Sequence, residues 1–207
     1  MTPTSSVSRA PVRVLGLALA SLLFSGAAGL ATAGTGEPEA TAAGVWQPRK
    51  IELVYLGFTS TYSCDGLQSK LELLLRQVGA RPGFKVVTYG CPDGFGHPSK
   101  FVRADLEFAS LQPETADATP TASAEPAPTV NGIWRDVEIA PHRPFDLQDG
   151  DCELIELFRD KVLPLFATRD PQIRTTCIPY QDTGGPYDLK LQVFGPVPVP
   201  KGSTASH

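Results

Sequence analysis

Hydrophobic and polar positions alternate strictly in two stretches of the chain. From Phe101 to Phe108, Val102, Ala104, Leu106 and Phe108 fall on one side, while Arg103, Asp105 and Glu107 fall on the other. From Asp188 to Val193, Leu189, Leu191 and Val193 oppose Asp188, Lys190 and Gln192. Strands of this kind belong to a sheet with one buried face and one wet face. Elsewhere the period lengthens towards that of a helix. Leu67, Leu71, Leu74, Leu75 and Val78 share one helical face, with apolar residues spaced by three and four. Asp65 is the expected N-cap, with Gln68 three residues on, and Gly79 the expected left-handed residue beyond the helix end. A second helix carries a broader stripe from Leu154, Ile155 and Phe158 to Val162 and Leu165 or Phe166. Asp149 or Asp151 is placed to cap it, and Pro164 to bend or end it.

Setting Cys64 against Cys152 brings the two halves of the chain into step. The first half runs "IELVYLGFT", "CDGLQSKLELLLRQVGA", "FKVVTYGCP" and "KFVRADLEF". The second runs "IWRDVEIA", "CELIELFRDKVLPLF", "QIRTTCIP" and "DLKLQVFG". Each half orders a strand, a helix opened by cysteine, a strand ending at cysteine, and a last alternating strand. A strand–helix–strand step within one sheet makes parallel neighbours, and a short loop to the next strand allows antiparallel pairing. The sequence therefore predicts an α+β fold of two tandem β-α-β-β units, in a mixed sheet with two helices on one face. One continuous sheet is expected, because a unit of about 60 residues buries little core alone. The last strand of each unit is the expected open edge.

Ahead of these units, Arg9 and Arg13 precede the apolar run "VLGLALASLLFSGAAGL", and Ala31-Thr32-Ala33 has the small-x-small form of a cleavage site. Residues 1–33 are thus expected to be a signal peptide. The run from Val14 to Leu30 is broken by Gly16, Gly26 and Gly29 and falls short of the roughly 20 residues of a membrane span. Residues 34–46 are expected to be a flexible N-terminal segment, 47–110 the first unit, and 111–130 a linker rich in Pro, Ala and Thr. The second unit is placed at 131–195 and a flexible tail at 196–207. These features imply a periplasmic or secreted protein with no membrane span once the signal is removed. Losing Arg9 and Arg13 takes the formal net charge from −4 to −6. An acidic chain with no basic face excludes electrostatic binding of nucleic acid.

All four cysteines, Cys64, Cys91, Cys152 and Cys177, follow the cleavage site. An even number in an exported chain implies disulfides. In a strand–helix–strand crossover the start of the helix and the end of the returning strand share one edge of the sheet. Disulfides need Cα separations of about 5–6 Å, which this arrangement supplies, so Cys64–Cys91 and Cys152–Cys177 are the expected pairs. The competing chemistry is a thiolate activated at a helix N-terminus, but the chain has no C-x-x-C. Zinc is disfavoured because no cysteine or histidine pair has ligand spacing; His97 and His142 are lone loop histidines and His207 is terminal. There is no G-x-S-x-G and no glycine-rich phosphate loop. Asp149 and Asp151 in "DGDC" make a turn into a helix cap. No catalytic, cofactor or metal residue is therefore expected. The aromatic side chains Trp46, Tyr55, Phe58, Tyr62 and Trp134 either fill core or face a partner.

The runs "YSCDGL", "LLRQVGAR" and "TYGC", with "GDCEL", "VLP" and Cys177 in the second half, resemble a family of uncharacterised exported proteobacterial proteins with two cysteine-paired repeats. The likeness spans most of residues 47–195. It implies shared architecture and export, and carries no activity, ligand or catalytic residue. The expected function is that of an exported, disulfide-stabilised, non-catalytic protein that binds another protein or an envelope component. A periplasmic thiol-disulfide redox protein or a metal-handling protein is the alternative.

Overall fold

Among the described residues six strands form one sheet in the order β2-β3-β1-β4-β6-β5, and every pairing between them is antiparallel. The structure is a computed structural model that describes residues 41–58, 60–90, 98–114, 129–178 and 186–198. The strands are β1 (Ala42–Leu56), β2 (Lys85–Tyr89), β3 (Phe101–Pro113), β4 (Thr129–Ile139), β5 (Thr168–Thr175) and β6 (Tyr187–Pro196). Helix α1 (Cys64–Gln77) joins β1 to β2, and α2 (Cys152–Lys161) lies between β4 and β5.

The expected arrangement of two tandem β-α-β-β units in a mixed sheet is overturned. Strands β1 and β2 do run parallel to one another, but β3 lies between them and pairs antiparallel with both. Likewise β6 separates β4 from β5. No parallel ladder remains, and the result is a single antiparallel sheet. The alternation along β3 and β6 already contained the reason. Parallel strands are buried on both faces and read as continuous apolar runs, whereas strands with one wet face belong to antiparallel sheets. The same insertion moves β3 and β6 from the expected edges to the interior, so that β2 and β5 are the outer strands.

Burial follows the two periodicities. Val102, Ala104, Leu106 and Phe108 join Leu189, Leu191 and Val193 in one core cluster, together with Leu67, Leu71, Leu74 and Leu75 of α1 and Leu154, Ile155 and Phe158 of α2. Helix α1 starts one residue before the expected cap. Ser63 Oγ accepts the Gly66 N–H at 3.0 Å, and Asp65 lies inside the first turn. Gly79 takes φ 81° beyond the helix end, as its position implied. There Arg135 donates to the Gln77 carbonyl at 3.1 Å, a cation at the negative end of the helix dipole. Pro164 sits in a 3-10 turn, Leu163–Leu165, that follows α2.

The strands outrun the expected unit boundaries. β1 begins at Ala42, within the segment expected to be flexible, while β3 reaches Pro113 and β4 starts at Thr129, inside the expected linker. The expected signal peptide, residues 115–128 and residues 199–207 lie outside the described residues. Among the described residues no helix is long and apolar enough to cross a membrane.

The two halves of the sheet join through four residue pairs, Ala42–Val45 of β1 against Thr129–Gly132 of β4. Gly132 admits this junction because its α-carbon lies under Phe194. A Cβ there would stand 2.6 Å from Phe194 Cε1 and 3.0 Å from Leu111 Cδ2, and both rings and branches are fully buried. Gly132→Ala is expected to destabilise the protein by about 2 kcal/mol through overpacking, read as a lowered urea midpoint with an unchanged slope.

Candidate functional site

At one end of the sheet the wet positions turn apolar. Leu56 of β1 lies opposite Phe101 of β3, and Val54 opposite Arg103. On the other side of β3, Tyr89 of β2 lies opposite the same Arg103, and Val87 opposite Asp105. Their neighbours Leu53, Tyr55, Val86 and Val102 are buried, so the alternation of the strands forces this second set outward. Val54, Leu56, Val87, Tyr89 and Phe101 are 40, 55, 56, 36 and 41% exposed. Further along the same face the side chains become charged, with Lys50 paired to Glu107 at 2.6 Å. The apolar patch is therefore confined to the end where β1 closes and β3 opens. Arg103 lies over the Phe101 ring at 5.5 Å and approaches Glu52 only to 3.9 Å, leaving its guanidinium available at the surface. The Tyr89 hydroxyl donates to Asp105 at 3.2 Å.

Behind this end of β1 the chain is anchored by a buried carboxylate. Asp151 is 3% exposed and accepts from the Tyr62 hydroxyl at 2.5 Å, Lys70 Nζ at 2.6 Å and the Gln148 N–H at 2.7 Å. Lys70 also donates to the Asp146 carbonyl at 2.9 Å. Ser60 donates to the Gly150 carbonyl and Tyr55 to the Ser60 carbonyl, at 2.5 and 2.8 Å. Tyr187 donates to the Gln148 carbonyl at 2.8 Å. The network ties the segment after β1 to α1 and to the turn before α2. Burial, and then the Asp151 charge, push the Tyr62 phenol far up. Burial also raises Tyr55, followed by the charges of Glu153 and Asp151, and it raises Tyr187, followed by Asp151 and Asp149. Such saturation suits a brace. A groove of about 530 Å³ beside it is lined by Gly66, Ser69, Lys70, Leu73, Arg76 and Asp146, among others.

The residues singled out in the sequence fall into four groups. Cys152 and Cys177 form a disulfide with Cα atoms 5.6 Å apart, fixing the start of α2 to the chain just after β5. Cys64 opens α1 half-buried, while Cys91, and with it the expected Cys64–Cys91 bridge, lies outside the described residues. No described cysteine is free. His97 and His207 are also outside the described residues; His142 is exposed in a turn at φ 60°. The two carboxylates of "DGDC" are separated, with Asp151 in the buried network and Asp149 exposed. Among the described residues no group of three or more metal-ligating side chains converges. Of the aromatic residues, Tyr55 and Tyr62 are core, packed edge to face at 5.0 Å. Trp46 and Trp134 are half-buried beneath Arg81 and Arg169. The exposed apolar end of the sheet was missed by sequence reasoning. Its signal was present, since Val54, Leu56 and Val87 occupy positions that alternate with core residues and should be polar in a fully solvated face.

A double substitution, Cys152→Ser with Cys177→Ser, opens a loop whose ends are 25 residues apart. It is expected to cost about 3 kcal/mol in chain-entropy terms, measured as the difference in urea unfolding between the oxidised wild type and the variant.

No protein-family model, curated protein or solved structure matches this chain.

Proposed function

We propose that the protein is an exported, disulfide-stabilised, non-catalytic binding module, periplasmic or secreted, that docks a partner protein on the patch around Leu56, Phe101 and Tyr89. The carrying observation is that five apolar side chains are exposed together at one end of the sheet face, where the next pair along, Lys50 and Glu107, is charged. Contiguous exposed apolar surface on a folded domain marks interaction sites, and aromatic residues with arginine are enriched in them. Arg103 at the centre of the patch selects a partner that presents aliphatic or aromatic side chains around an acidic group. The Cys152–Cys177 bridge suits an oxidising compartment, as does the resemblance to exported proteobacterial proteins. A catalytic pair usually has C-x-x-C spacing and an accessible attacking sulfur; here Cys152 and Cys177 are 25 residues apart, Cys152 is 1% exposed and Cys177 packs partly buried against the core, which disfavours the redox alternative.

The test is a photo-cross-linking amino acid at position 56 of the full chain in producing cells. A single adduct of defined mass is expected. It should vanish when Phe101→Asp is added, with the far-ultraviolet circular dichroism unchanged. The same probe at position 170, in β5 on the opposite outer strand, should yield none. Equal adducts at both positions, or none at position 56, overturn the proposal.

A further inference from the structure

The two outer strands of the sheet are built differently. β5 carries Pro171, a left-handed Asp170 at φ 52°, and a register shift against β6 between Arg169 and Gln172. Proline, bulges and charge blunt an edge against pairing with another chain. β2, "KVVTY", has neither proline nor bulge, and its one charge stands at its first residue. It keeps an unbroken register with β3 over all five residues and carries one charge, Lys85.

We propose that β2 is a self-pairing edge: a second copy of this chain adds its own β2 antiparallel across a two-fold axis through Val87. Directly opposed residues of antiparallel strands point to the same face. Two copies whose core faces coincide must therefore place the axis on a residue, and only Val87 pairs the strand over its full length. Each cross-strand contact is then favourable. Val87 meets its own counterpart, a pairing of β-branched side chains. Val86 opposes Thr88, also β-branched. Lys85 opposes Tyr89, whose ring suits a cation and whose hydroxyl is held by Asp105 at 3.2 Å, so the ammonium approaches a carboxylate as well. No like charges oppose one another. The two sheets become one, continuous across the axis. This interface goes beyond the docking function above. Val87 and Tyr89 of the patch take part in it, while Leu56, Phe101 and Val54 stay uncovered on each copy.

Sedimentation of the purified wild-type chain at micromolar concentrations should give a dimer. Val87→Lys puts two ammonium groups on the axis at a solvent-facing position. It should weaken the dimer about tenfold or more while leaving the circular dichroism in place. Val87→Cys provides the positional reading. Residues facing each other in antiparallel strands have Cα atoms about 4.5–5.5 Å apart, within disulfide reach. Under mild oxidation this variant should become mostly covalent dimer, and Ile173→Cys on β5 should remain mostly uncrosslinked. A wild-type monomer throughout, or equal cross-linking at the two positions, overturns the self-pairing edge. Either result leaves the adduct at position 56 to be judged separately.

Discussion

Above about pH 10, the ordinary phenol range, the protein is expected to unfold cooperatively and to release the protons of its three buried tyrosines in the same transition. Tyr55, Tyr62 and Tyr187 are 2, 7 and 1% exposed. Removal from water is the first cause that raises each phenol, and the carboxylates around Asp151 add to it. The sign follows from proton binding. Folded phenols hold their protons above the pH at which unfolded ones lose them, so their stabilisation is whole below the unfolded value and falls as pH rises past it. Each such group contributes a slope of about 1.4 kcal/mol per pH unit. Three together give about 4 kcal/mol per unit, enough to exhaust a typical stability of about 5–15 kcal/mol within a few units. Tyrosinate absorbance and far-ultraviolet circular dichroism, followed on the same sample, should change at one midpoint. Ionisation of more than two of the five tyrosines near pH 10 with ellipticity intact would refute the burial argument. Tyr62→Phe should reduce the slope by about one third, since it removes one of three equivalent linkages.

Local structure was legible wherever one period dominated. The stripe from Leu67 to Val78 specified a helix face, and the alternation through Val102 to Phe108 specified a strand face, because each pattern places its apolar atoms on a single side. Strand order was not legible. The chain records that β1 and β2 run the same way, since a helix connects them, but it carries no local mark that β3 fits between them. That insertion depends on long-range pairing, which a sequence shows only through the character of its faces. The Cys152–Cys177 bridge survived the change of topology because the helix start and the end of the returning strand share one edge whether or not another strand intervenes. The cap was misplaced by two residues because Ser63 and Asp65 both suit the role, and the hydroxyl that reached an amide was that of Ser63. For the candidate site, composition alone hid the patch. Leu56 and Phe101 are distant in sequence and ordinary in type, and they become a surface only through the register of β1 with β3.

Asp151→Ala is expected to destabilise the fold by about 4 kcal/mol, as when one partner of a buried pair is removed. The carboxylate side chain is 4% exposed and that of Lys70 18%. Without Asp151, Lys70 retains the Asp146 carbonyl alone, and the Tyr62 hydroxyl and Gln148 N–H lose their acceptor. The exposure of Lys70 to the adjoining groove lets water recover part of the loss, which keeps the effect below the sum of the orphaned groups. Asp151→Asn keeps one acceptor oxygen for Lys70 and Gln148 and turns the other into an NH2 that must donate to the Tyr62 hydroxyl; with the charge lost and one bond reversed, it should cost about half as much. Lys70→Met combined with Asp151→Asn removes both charges, so its cost should be smaller than the two single costs added. Urea midpoints of the three variants supply that comparison, and strict additivity would show that the ammonium and carboxylate do not act as a pair. The consequence reaches the surface through the chain itself. Ser60 and Tyr62 hang from the same turn as Asp151 and continue directly from Leu56. Loosening them frees the end of β1 on which the exposed apolar residues depend for their register with Phe101. Asp151→Asn, folded but weakened, should therefore reduce the adduct yield at position 56 with no change to any residue on the patch.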